Sequence, residues 1–167
     1  MEVLKLFGKS IDPAVKTIGK ENTPVLTFDL PLSLAQHLIK VASTYPPDWV
    51  AAPNTYPGIW SRTPPGYNNA LLDFLAEHIK QYFFDIEDSP RSIYSCYAMP
   101  VIPKDDWAEM QKVPHFDSTD SRQLATVLYL CDESFGGTGF YRHKTSGIEK
   151  VTPDNYPELS QKLKNRF

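Results

Sequence analysis

The spacing of the apolar residues changes at about residue 90, and this change restricts the fold more than any other feature of the chain. Before it, Pro31–Ser43 and Tyr67–Phe84 place apolar side chains three or four positions apart, as amphipathic helices do. After it come four short apolar runs with the spacing of β-strands, at Arg91–Met99, Val113–Asp117, Leu124–Cys131 and Gly139–His143. Helices followed by a run of strands predict an α+β domain with the helices packed on one side of a barrel or sandwich.

The length of 167 residues is usual for one domain, so we expect a single domain over residues 1–167. Residues 1–90 then supply N-terminal strands and two supporting helices, with a proline-rich loop at 45–66 between the helices. Residues 91–149 supply the β core, and residues 150–167 supply a C-terminal helix. The loop also contains aromatic residues, so it is either a lid or peptide-docking surface, or structural packing.

Composition excludes several classes of function. The formal net charge is −3, so the chain lacks the excess of positive charge that would attract nucleic acid. It has no apolar run of about 18 residues that could span a membrane, and no membrane partner is expected. The N-terminal residues lack the apolar core and cleavage site of a signal peptide, which predicts a cytoplasmic protein.

The pattern with the most chemical content is His115-Phe116-Asp117. On a strand, alternate side chains share a face, so His115 and Asp117 would project together while Phe116 points away. An imidazole nitrogen and a carboxylate oxygen on one face are two of the three ligands in the facial triad of non-haem Fe(II) sites. The alternative is a surface histidine beside an aspartate in a turn. A hydrolytic metal site is disfavoured because no further Asp/His cluster accompanies the pair.

Four motifs in order place this pattern in a wider context: Cys96-Tyr97-Ala98-Met99-Pro100, Val113-Pro114-His115-Phe116-Asp117, Thr126-Val127-Leu128-Tyr129-Leu130 and Gly136-Gly137-Thr138-Gly139-Phe140. Together they resemble the Fe(II)/2-oxoglutarate-dependent dioxygenases, in particular the prolyl-hydroxylase-like branch. With Tyr56-Pro57-Gly58, they look like an uncharacterised bacterial group of that superfamily. The resemblance covers residues 91–149 well and residues 1–90 only loosely.

The resemblance implies a fold, an activity and a set of site residues. The fold is a double-stranded β-helix, the jelly-roll of cupin-like proteins, with the N-terminal helices on one side. The activity is Fe(II)- and 2-oxoglutarate-dependent hydroxylation of a small-molecule or peptide substrate. His115 and Asp117 would bind the metal, and the phenols of Tyr97 and Tyr129 would bind the 2-oxoglutarate cosubstrate. No catalytic residue beyond the metal ligands is implied.

The chain departs from the family pattern at its C-terminal end. The resembling enzymes carry a distal histidine several strands after the His-x-Asp motif, followed by a basic residue. Here His143 lies too close to Asp117 for that position, and no histidine follows it. We therefore expect an incomplete β-helix: a truncated family member, a barrel completed by a partner such as a second copy, or a degenerate site. The alternative function is a non-catalytic binding or assembly protein that retains the fold.

Overall fold

The computed structural model of the chain describes residues 11–44, 48–52, 56–84 and 94–164. Within these ranges it contains five strands and three α-helices, a mixture that confirms the predicted α+β class, whereas the predicted order of helices before a run of strands is not observed. The elements are β1 (Ala14–Ile18), β2 (Thr23–Thr27), α1 (Leu32–Thr44), β3 (Val50–Ala51), β4 (Gly58–Arg62), α2 (Tyr67–Tyr82), β5 (Cys96–Pro100) and α3 (Tyr156–Lys164). The strands in the described ranges form two small sheets and no closed barrel.

The chain divides into two compact units. The first comprises Met1–Ala14 and Thr27–Val113, and the second comprises Val15–Leu26 and Pro114–Phe167. The prediction of one domain over the whole chain stays a prediction.

The first unit contains an antiparallel sheet with the strand order β3-β4-β5. Helix α2 connects the two longer strands, β4 and β5, and Trp60 of β4 lies opposite Ala98 of β5. Gly58 pairs with Pro100, and a Cβ atom at Gly58 would overlap the carbonyl oxygen of Met99. Only glycine therefore permits the close approach of these strands. The carbonyl of Pro57 accepts hydrogen bonds from the backbone of residues 101 and 102, both at 3.2 Å.

The core of the first unit lies between the helices and one face of this sheet. In α1, Leu34 and Leu38 are one helical turn apart and fully buried. Tyr67, Ala70, Leu75 and Tyr97 are also buried. Ser61 pairs with Tyr97 across β4 and β5, so both side chains point to the same face. The hydroxyl of Tyr97 reaches the carbonyl of Leu38, which shows that this face is turned toward α1.

Both long helices confirm their sequence predictions to within two residues at either end, because their apolar faces have a clear helical period. The proline-rich interval contains more regular structure than expected. Strands β3 and β4 lie within it, and the rings of Trp60 and Tyr94 pack 5.4 Å apart. Prolines flank these short strands, so the interval resembles a loop in sequence. At Pro57–Arg62 it is structural packing; residues 45–47 and 53–55 lie outside the described residues.

In the second unit, β1 and β2 form a two-stranded sheet joined by a four-residue turn, and Leu159 of α3 is buried. The predicted strands at 113–117, 124–131 and 139–143 are wrong as assignments of secondary structure, since none of them is a strand here. In the first two segments no backbone group bonds to the backbone of another described residue. Alternating apolar residues indicate a face suited to a sheet, but a strand also requires a neighbour to pair with.

Shorter helical elements complete the described ranges. Two 3₁₀ turns lie between β5 and the segment 113–117, at Lys104–Asp106 and Glu109–Lys112. The C-terminal helix, predicted over residues 150–167, begins at Tyr156, and residues 165–167 lie outside the description. Among the helices of the described ranges, none has both the length and the apolar character needed to cross a membrane.

Candidate functional site

The two proposed metal ligands lie together on one side of the segment that follows the second 3₁₀ turn. Nε2 of His115 is 3.7 Å from Oδ1 of Asp117, and their side chains are 85% and 58% exposed. Phe116, between them, packs its ring edge-to-face on Tyr156 of α3, with the centroids 5.8 Å apart. This contact anchors the segment to α3, and both ligand candidates remain accessible to solvent.

The spacing of these two donor atoms is compatible with a single metal ion. Metal bonds to imidazole nitrogen and carboxylate oxygen are about 2.1 Å long. Two donors on one ion can therefore be no more than about 4.2 Å apart, by the same bond lengths. His115 and Asp117 meet this limit without rearrangement. A third ligand is not in place, since the described part of the chain contains no group of three His, Cys, Asp or Glu side chains that could hold a metal.

His143 occupies a tight turn and is arranged as a hydrogen-bonding residue. Its backbone N–H donates to the carbonyl of Ile148 at 2.8 Å, and its ring Nδ1 accepts from the backbone N–H of Ser146 at 3.3 Å. The same Nδ1 lies 2.7 Å from the hydroxyl of Ser146, and the direction of that bond depends on which ring nitrogen carries the proton. Nε2 is buried and has no hydrogen-bond partner among the described residues. The exclusion of His143 as the third ligand stays a prediction.

The other described histidines lie on the helices of the first unit. His78 packs edge-on against Phe28 and Phe74, with ring centroids 5.0 and 5.8 Å away. It is half-buried, and so is His37 of α1.

Tyr97 has a structural hydrogen bond. It is 9% exposed, and its phenol donates to the backbone carbonyl of Leu38 at 3.3 Å. Burial, with a smaller contribution from the neighbouring Tyr67, raises the pKa of Tyr97 to about 12. The phenol is therefore neutral and its proton is engaged within the first unit. Its role toward 2-oxoglutarate stays a prediction.

Tyr129 lies over the Gly136-Gly137 pair. Its hydroxyl is 2.5 Å from Oγ1 of Thr138, and a Cβ at Gly137 would be 3.9 Å from the same hydroxyl. Gly136 has φ +86°, a conformation that favours glycine and lets the chain turn back beneath the phenol. The motif residues Tyr129, Gly136 and Gly137 are thus one local structure. The site that the resemblance implies, with Tyr129 near Tyr97, His115 and Asp117, stays a prediction.

Tyr129 and the glycine pair line an open concave surface that encloses a volume of about 280 Å³. The full set of lining residues is Tyr129, Cys131, Asp132, Glu133, Gly136 and Gly137. Asp132 accepts hydrogen bonds from the hydroxyl and the backbone N–H of Ser134, and these bonds lower the pKa of its carboxyl. The surface carries two carboxylates and no basic side chain. A dianion such as 2-oxoglutarate would need a cation here that none of the six lining residues supplies.

Sequence reasoning missed one polar cluster, in which Glu149 bonds to Arg142 and to the turn between β1 and β2. The available signal was weak: opposite charges flank a turn that contains Gly147. Their shared contact with a turn more than 120 residues earlier is a tertiary feature.

The whole of this structure falls within one known family. Residues 9–167 match the model of the Family of unknown function (DUF6445), so the chain belongs to that family. No curated protein and no solved structure matches the chain significantly. Family membership therefore assigns no activity, and a function has to be argued from the site.

Proposed function

We propose that this chain carries part of the active site of an Fe(II)- and 2-oxoglutarate-dependent oxygenase. The observation that supports the proposal most directly is the 3.7 Å separation of His115 Nε2 and Asp117 Oδ1, with both atoms accessible on one side of the chain. The ordered motifs around Tyr97, Tyr129 and Gly136-Gly137 add to it. A pair consisting of one imidazole and one carboxylate suits Fe(II) better than Mg²⁺ or Ca²⁺, which prefer sites made of oxygen ligands.

Each residue has a defined task in this proposal. His115 and Asp117 bind the metal, and the phenol of Tyr129 donates a hydrogen bond to a carboxylate of the cosubstrate. Tyr97 would do the same after exchanging its bond to Leu38 for one to the cosubstrate. Bound iron, with O₂ and 2-oxoglutarate, supplies the oxidant that hydroxylates a small-molecule or peptide substrate. The third metal ligand is outside the assignment, since the described residues contain no group of three that could hold a metal. A basic partner for 2-oxoglutarate is outside it too, since the six residues that line the surface near Tyr129 include no cation.

The finer fold belongs to the same proposal. In a double-stranded β-helix, the segments 113–117, 124–131 and 139–143 would be paired strands that surround the metal. Their β-branched and aromatic residues suit this role. Pairing requires neighbours other than the described residues, and a second copy of the chain would supply them.

A metal titration tests the ligand assignment. Mn(II), a stable substitute for Fe(II), should bind the wild-type chain weakly, because two protein ligands leave most of the coordination sphere to water. Asp117→Ala should abolish this binding. Asp120→Ala is the matched control, since its side chain is similarly exposed, at 55%, and it should bind as wild type does. Tight stoichiometric binding would reveal a third ligand that the proposal lacks.

Turnover tests the reaction itself. Protein expressed with every residue that its gene encodes should convert 2-oxoglutarate to succinate in an iron-dependent way, slowly in the absence of its true substrate. Asp117→Ala should remove most of this turnover, and Asp120→Ala should leave it unchanged. If no succinate forms, and wild type and Asp117→Ala bind metal equally poorly, the oxygenase assignment is refuted.

One observation favours the second candidate, a non-catalytic assembly protein. Several large apolar side chains after residue 126 are well exposed: Val127, Tyr129, Phe135, Phe140 and Tyr141. Exposed apolar surface of this kind marks interaction sites on many proteins. Sedimentation over a range of concentrations would show self-association in that case, without succinate formation or metal binding.

A further inference from the structure

The turn between β1 and β2 forms a small anion-binding concavity. Gly19 has φ +71°, and the backbone N–H groups of Lys20 and Glu21 then point toward one oxygen atom. That atom is Oε2 of Glu149, at 2.7 Å from the nitrogen of Lys20 and 3.2 Å from that of Glu21. Successive N–H groups in such a turn are a general way to hold a negative charge.

Glu149 reaches this concavity from a second turn in the same unit. Residues 143–148 form that turn, with the backbone N–H of Gly147 donating to the carbonyl of His143 at 2.8 Å. Arg142 and Glu149 flank the turn, and Nε of Arg142 donates to Oε1 of Glu149. Both carboxylate oxygens are therefore engaged, and the side chain of Glu149 is only 12% exposed.

The fit around this carboxylate is close. A Cβ atom at Gly19 would overlap Oε2 of Glu149, so a larger residue here would displace the carboxylate, and the positive φ of this residue favours glycine as well. Burial alone would raise the pKa of Glu149. The hydrogen bonds from Arg142 and from the two backbone N–H groups outweigh burial and lower it, as expected for a carboxylate held in its charged form.

We propose that the Gly19–Glu21 turn and Arg142 together form a carboxylate-binding site whose resident ligand is Glu149, and that this contact latches the β1–β2 hairpin onto the 142–149 turn. The site requires a planar anion with two acceptor oxygens: one receives the two backbone N–H groups and the other receives the guanidinium. The proposal is independent of the oxygenase assignment, since none of the proposed iron or cosubstrate residues takes part.

Amide hydrogen exchange with chemical rescue tests this proposal on the whole chain. In Glu149→Ala, the amides of Lys20 and Glu21 should exchange at least roughly tenfold faster than in wild type, the factor expected for loss of a charge-assisted hydrogen bond. Formate fits the vacated site and should slow the exchange again in a saturable way, whereas chloride at equal ionic strength should not. Glu158→Ala is the matched control, because Glu158 is more than half exposed and pairs with Lys162 on its own helix, α3.

The outcomes separate a latch from a passive contact. Faster exchange in Glu149→Ala that formate reverses supports the proposal. Unchanged exchange overturns it, and so does faster exchange that formate does not reverse. If Glu149→Ala unfolds the whole chain, the test uses the wild type instead. The latch is overturned if the amides of Lys20 and Glu21 exchange as fast as those of an unstructured peptide. Slow exchange of these two amides supports it.

Discussion

Replacing Tyr97 with phenylalanine should reveal whether its phenol is mainly structural. The substitution keeps the buried ring and removes one hydrogen bond, the 3.3 Å contact with the carbonyl of Leu38. That carbonyl lies inside α1, where the helix supplies its usual backbone donor, so no buried acceptor is left unpaired. The loss at pH 8 should therefore fall at the lower end of the range for one hydrogen bond, about 0.5–1 kcal/mol in the free energy of unfolding.

The pH dependence of this difference follows from the pKa of Tyr97. The folded-state pKa is about 12, above the ordinary value of 10.0. Because the folded-state pKa is raised, the neutral phenol stabilises the folded state fully below pH 10, and this stabilisation is lost as the pH rises toward 12. At pH 11 this pKa difference lowers the free energy of unfolding by at most about 1.4 kcal/mol. Solvent screening at a partly accessible group reduces the loss to about 1 kcal/mol. The stability curves of wild type and Tyr97→Phe should therefore cross near pH 11.

Urea unfolding between pH 8 and pH 11, followed by tryptophan fluorescence, measures both effects. Tyr141→Phe is the matched control, since its ring is 68% exposed, and it should follow the wild-type curve. Parallel curves for wild type and Tyr97→Phe, with no crossing, would refute the burial of the phenol. A loss in the free energy of unfolding well above about 1.5 kcal/mol at pH 8 would show that the hydroxyl contributes more than one ordinary hydrogen bond.

Three further predictions concern packing, the hairpin latch and the cosubstrate. Leu34→Ala should lower the free energy of unfolding by about 2–5 kcal/mol in urea denaturation, because Leu34 is fully buried, whereas Leu32→Ala, at a site 70% exposed, should change it little. The Lys20 amide should be fully protected from hydrogen exchange above pH 4.5, the ordinary pKa of glutamate, and should lose protection only below it, because the pKa of Glu149 is lowered. Amide exchange or NMR shifts measured against pH would show this, and a transition above pH 5 would contradict it. Tyr129→Phe should raise the 2-oxoglutarate concentration needed for half-maximal succinate formation by roughly two- to tenfold, from the loss of one hydrogen bond of about 0.5–1.5 kcal/mol; an unchanged requirement would exclude the phenol from the cosubstrate site.

The helices of the first unit were predictable because their stabilising pattern is local. Residues three and four positions apart, such as Leu34 and Leu38, meet on one helix face regardless of what lies beyond it. The proximity of His115 and Asp117 agrees with the pattern noted in the sequence, although the segment that carries them is not a strand in this structure. The contact between Tyr129 and the Gly136-Gly137 turn was not foreseen, although the sequence had singled out both.

Strand pairing and polar contacts depended on the tertiary structure. The segment 124–131 has the composition of a strand, but pairing needs a partner whose position its own residues do not specify. Strand β4 forms within a proline-rich interval because Gly58 allows a close approach to a strand almost forty residues later. The sequence thus determined which segments are helical and which side chains share a face. The tertiary structure decided which side chains find a partner. Examples are the hydrogen bond from Tyr97 to Leu38 and the hydrogen bonds that Glu149 accepts from a distant turn. The free energy of such contacts is gained only when separate parts of the chain meet.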